Sequence, residues 1–154
     1  MEYLVVKWLH IVSSTILFGT GIGTAFSMVA AHHSRQVAVI AGVARNVVIA
    51  DWLFTTPAVI FQPLSGLWLA YYGGFPILEG WILWSFALYF LAGACWLPVV
   101  WLQMRMKDIA TVAVREGGEL PPLYWRYARI WTALGFPAFF ALVVVFWLMV
   151  AKPG

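Results

Sequence analysis

Lys7, His10 and Ser14 are the residues of this chain best placed to do chemistry. Their spacings of three and four put them on one face of a helix, and from Ile11 to Ala31 nothing ionisable follows them. An imidazole about two turns inside a membrane helix is costly unless it pairs, so His10 reads either as a ligand or proton carrier or as an interhelical hydrogen bond. Gly21 continues that face within Gly19-Thr20-Gly21-Ile22-Gly23. Such a smooth strip serves close helix packing, or it clears room for a flat ring. The string is not a dinucleotide fingerprint, which needs a preceding strand and a different glycine spacing.

If His10 held an iron, the sixth ligand could come from Met149, which the last apolar segment carries back to the same side. Spacing does not settle whether Met149 faces inward. His32 and His33 cannot share that iron, since 22 residues of helix set them about 30 Å away. They read as interfacial histidines beside Arg35, and no Cys/His spacing offers a fuller metal site. Asp51, near one end of the second apolar segment, suits a cap or a partner for Arg45 better than a proton relay. Cys95 lies in an apolar run and reads as a small hydrophobe.

The elements that carry these residues are legible in the composition. Of 154 residues, 64% are hydrophobic and 10% charged, where soluble domains have about 25% charged. Lipid must therefore surround most of the chain. Charges leave four gaps, Lys7 to Arg35, Asp51 to Glu79, Glu79 to Arg105 and Arg129 to Lys152, each longer than the roughly 20 residues of a spanning helix. The expected fold is an all-α integral membrane four-helix bundle, one transmembrane domain over 1–154, with helices near 4–31, 48–72, 80–104 and 128–150. The apolar runs do not alternate with period two, which excludes a barrel.

Arg35, Arg45, Arg105, Lys107, Arg115, Arg126 and Arg129 fall on the first and third connections, against Lys7 and Lys152 opposite. The positive-inside rule then puts both termini outside the inner membrane. The N-terminus lacks the pattern of a cleavable signal, so the first segment is expected to remain as a span. Pro57, Pro63, Pro98 and Pro137 are expected to kink the later helices and pack inside the bundle. No basic tract interleaved with exposed aromatics marks a nucleic-acid partner. Aromatic residues near the span ends suit headgroup anchoring.

In order along the chain, Lys7-Trp8-Leu9-His10, Thr56-Pro57-Ala58, Gly66-Leu67-Trp68-Leu69 and the Lys152-Pro153 ending resemble the HemJ-like superfamily of small four-helix membrane proteins. The resemblance implies haem b or a related porphyrin, with His10 as its first-helix ligand. It also implies protoporphyrinogen oxidase-like oxidoreductase chemistry if the chain is an enzyme. Trp96 stands where the oxidases carry a third-helix histidine and Trp52 where they carry an arginine. Those departures point to a branch of predicted membrane proteins beside the oxidases. The first functional expectation is a haem- or porphyrin-binding redox or tetrapyrrole-handling protein, with His10, Ser14, Gly21 and Met149 around the ring. The alternative is a non-catalytic subunit or scaffold whose aromatic surfaces meet partner helices in a homo-oligomer or larger complex. A small transporter fits less well, because few ionisable residues line any path.

Overall fold

The computed structural model describes residues 1–78 and 80–153. All regular structure among them is helical: α1 (Glu2–Ser34), α2 (Val37–Ala50), a π-helical turn (Asp51–Thr55), α3 (Thr56–Tyr72), α4 (Gly80–Glu116) and α5 (Pro122–Ala151). The π-turn joins α2 to α3 without a break, giving four helices long and apolar enough to cross a membrane.

Each helix is longer than the charge gaps suggest. α1 has 33 residues and α4 has 37, or about 50 and 55 Å at 1.5 Å per residue, against a hydrocarbon core of about 30 Å. The first connection shrinks to Arg35-Gln36, with Arg35 in the left-handed region at φ 55°. α4 continues three turns past Arg105 and stops at Gly117, whose φ of 64° allows a Schellman ending: Gly117 N–H reaches Val114 O and Gly118 N–H reaches Ala113 O. α5 begins at Pro122, where a missing N–H costs nothing.

Close packing runs between α4 and α5, α2 and α4, α1 and α3, and α1 and α2. The main core lies at the Arg-bearing end, where Met28, Ile40, Val47, Met106, Tyr124 and Trp131 are buried together. Elsewhere the large apolar side chains, among them Phe26, Leu64, Trp84 and Phe140, point outward as lipid-facing residues do.

The prolines do not behave as expected. Pro57, Pro98 and Pro137 are exposed, and only Pro63 is half-buried. Lipid tolerates a proline ring on the outer face, so burial is not required of it. Pro63 shows the anticipated compensation. It has no N–H to offer the carbonyl of Val59 one turn back, and the Tyr89 hydroxyl of α4 donates to that oxygen at 2.6 Å. Tyr89→Phe should therefore cost about 1–3 kcal/mol, the penalty of a stranded buried acceptor. In a Pro63→Ala background the new N–H takes the carbonyl, so the same change should cost far less. Unfolding titrations in detergent measure both; equal penalties would show that Tyr89 acts through packing.

Candidate functional site

His10 is buried against α3. Its Nδ1 lies 2.6 Å from Ser65 Oγ, and that hydroxyl donates to Phe61 O at 2.7 Å. With the one serine proton given to Phe61 O, the ring donates through Nδ1–H and Nε2 keeps a lone pair. Gln62 Nε2 donates to the His10 carbonyl at 2.9 Å. Gly66 packs against the ring, where even a Cβ would stand in ordinary van der Waals contact at 3.5 Å from His10 Cε1. The result is a polar knot between α1 and α3.

The residues predicted on the face of His10 lie on one continuous helix, α1, but do not converge on its ring. Lys7 is exposed, and the half-buried Ser14 bonds back to Ile11 O at 2.7 Å within its own helix. Met149 is half-buried on α5. Gly21 lies 11 residues along α1 from His10, about 16 Å away. A Cβ at Gly19, Gly21 or Gly23 would meet nothing within 4 Å, so no helix is drawn close by these glycines. Of the three, Gly21 borders a space between the helices.

That space is a cavity of about 550 Å³, bounded by the α1–α3 pair on one side and the α4–α5 pair on the other. Its walls include Gly21, Val59, Ala92, Gly93 and Gly135, but none of His10, Ser14 or Met149. Phe18 spans its far end, stacking on Phe139 and meeting Phe146 edge-on, both with ring centroids 5.3 Å away. At the Arg-bearing end α1 and α5 meet again through His32 Nε2 and Tyr124 OH, 2.8 Å apart. Between these two contacts the exposed side chains of Ile22, Phe26 and Phe136 form an apolar rim. The cavity thus opens sideways, toward lipid.

Its polar groups are few and convergent. Asp51 is 4% exposed; its Oδ1 accepts from Thr55 Oγ1 at 2.9 Å, while Oδ2 has no hydrogen-bond partner. The Gln103 amide lies beside that carboxyl and interacts with it, while Gln103 Oε1 has no partner. The indole N–H groups of Trp96 and Trp131 are also buried without a partner. All four residues line the cavity. The π-turn assists: Thr56 sends both its N–H and its hydroxyl to Asp51 O, five residues back, and such turns recur at functional sites.

Asp51 is thus neither a helix cap nor a partner of Arg45. α2 starts at Val37, so Asp51 lies four turns into a continuous helix, and Arg45 points outward. The clue was a carboxylate in the run Val47 to Ala58 with threonine four residues on. His32 and His33 are away from His10, as expected; His33 Nδ1 bonds Val29 O at 2.9 Å. Among the described residues no three His, Cys, Asp or Glu side chains cluster to hold a metal.

Residues 4–153 match the family of predicted integral membrane proteins designated DUF2269. The chain belongs to this family. The match spans all four DUF2269 helices and both polar sites, and it carries the membrane assignment without any tie to HemJ-type proteins. No curated protein and no solved structure matches the DUF2269 chain.

Proposed function

We propose that this protein holds a lipophilic guest that enters its cavity sideways from the bilayer. One observation carries the reading: Asp51, Gln103, Trp96 and Trp131, each with a buried side-chain atom outside any direct hydrogen bond, all line one otherwise apolar space of about 550 Å³. Buried polar groups are nearly always paired, and a few convergent ones in an apolar cavity of roughly 300–1,000 Å³ are the mark of a ligand site.

Gly93→Leu tests it. Nothing lies within 4 Å of a Cβ there, so the side chain can grow into the cavity with the fold intact. Protein purified from its own membranes into nanodiscs should release a lipophilic compound in near-stoichiometric amount on solvent extraction, and Gly93→Leu should release almost none. Equal extracts from both would overturn the reading.

A second reading keeps the porphyrin at His10. In its favour, Nδ1 is held by Ser65 and Nε2 takes no hydrogen bond among the described residues, the arrangement that metal-bound histidines use. Against it, α3 covers the ring of His10, and the cavity begins at Leu17, about 10 Å further along α1. The ligand nitrogen suits a haem; the space beside it does not.

The orientation proposed is both termini outside and the arginine-rich end in the cytoplasm, carried by the Lys and Arg distribution. A cytoplasm-only fluorescent reporter inserted after Gly118 should glow, and one after Gly154 should stay dark. The reverse pattern would invert the protein.

A further inference from the structure

We infer that the guest is a neutral, flat ring bearing paired oxygens and an apolar tail: the quinone and quinol class. The inference rests on the cavity reading above and adds the chemistry of the occupant. The unpaired atoms divide into two kinds. Trp96 and Trp131 can only donate, through indole N–H, and so ask for an acceptor oxygen. Gln103 Oε1 can only accept and asks for an O–H or N–H. Asp51 Oδ2 does either, accepting as a carboxylate and donating as an acid, with Thr55 holding Oδ1 at 2.9 Å in both states.

A quinone carbonyl satisfies the indoles and an acidic Asp51. A quinol hydroxyl satisfies Gln103 and an ionised one. An anionic lipid headgroup would put a second negative charge beside Asp51, and a plain hydrocarbon would leave all four atoms stranded. The ring would lie among Val59, Ala92, Gly93, Gly135 and the Phe18 clasp. Its tail would leave between Ile22, Phe26 and Phe136, which reach the lipid surface.

The test is calorimetric binding to the protein in nanodiscs with four probes: a decyl-benzoquinone, its quinol, decylbenzene and a phosphatidylglycerol. Both oxygenated probes should bind the wild type well ahead of the other two. Trp96→Phe and Trp131→Phe should each weaken the quinone about 3- to 10-fold, the worth of one hydrogen bond. Neither change should alter decylbenzene. Asp51→Leu should weaken quinone and quinol together, while Gly93→Leu should exclude every probe. Decylbenzene or the phospholipid binding as tightly as the quinone, with all loss confined to Gly93→Leu, would overturn the quinone class and leave the cavity reading standing. Binding of any probe unaffected by Gly93→Leu would overturn both.

Discussion

Met106→Ala will destabilise the protein by about 2–5 kcal/mol, the range for truncating a fully buried side chain that its surroundings cannot refill. Met106 has no exposed surface and sits in the cluster with Met28, Ile40, Ala44 and Tyr124. Position decides the size of the effect. Helices inside lipid gain nothing by hiding apolar groups from one another, because the tails are equally apolar. This cluster, however, is level with Arg45, Arg105 and Arg129, all exposed. Water and headgroups are the alternative there, so the hydrophobic contribution applies in full. Trp84→Ala removes a larger side chain, but one 64% exposed in the span of α4, and should change stability by no more than about 0.5 kcal/mol. Denaturant titration of the two variants measures the contrast. Similar losses would mean that the bundle is held along its whole length.

His10→Ala comes second, and it divides the two functional readings. The change deletes the ring that bonds Ser65 and fills the gap beside Gly66. One interhelical hydrogen bond in a membrane is worth about 0.6–2 kcal/mol. With the hole added, a loss of about 1–3 kcal/mol is expected. The cavity lies elsewhere, so its guest should remain. The visible spectrum supplies the other arm. Wild-type protein expressed with added haem precursor should show no Soret band if the cavity reading is complete. A band present in the wild type and absent from a folded His10→Ala would put the porphyrin reading ahead; if Met149→Leu then changed its coordination, Met149 would be the sixth ligand. His32→Ala should leave either spectrum as it was, for His32 is engaged with Tyr124 at the opposite end.

The four spans could be read from the sequence because charge is excluded from lipid, and gaps between charges measure the bilayer. Helix ends could not, because a charge ends a span without ending a helix. Residues 37–47 and 105–116 hold no proline and no glycine except Gly42, so winding continues into water until Arg35-Gln36 or Gly117-Gly118 interrupts it. The same error of boundary hid Asp51. Starting the second helix near residue 48 made it a surface residue, whereas a start at Val37 places it in the interior. His10 was legible as a buried group, since an imidazole inside an apolar run has few tolerable fates. Its partner was not: Ser65 is 55 residues away, and only the pairing of α1 with α3 brings it near. The glycine strip was legible as a smooth surface, but whether a helix or a void lies against it depends on how far α5 stands off, which no local spacing encodes.

The π-turn at Asp51–Thr55 also changes what the chain can lose. Removing one residue from an ordinary helix swings everything beyond it by about 100°, enough here to turn Gln62 and Ser65 away from His10. A π-turn is an α-helix carrying one residue of surplus. Dropping Leu53, which is 62% exposed, would let the backbone wind back to α-helix with Val47 still facing its core and Ser65 still facing α1. The Asp51 carboxyl would be re-aimed, and its bond with Thr55, then three residues on, would have to be re-made. In this membrane helix the shortest deletion is therefore milder at the site than anywhere else along the span, and the polar group in the cavity can be re-pointed without disturbing the helices around it.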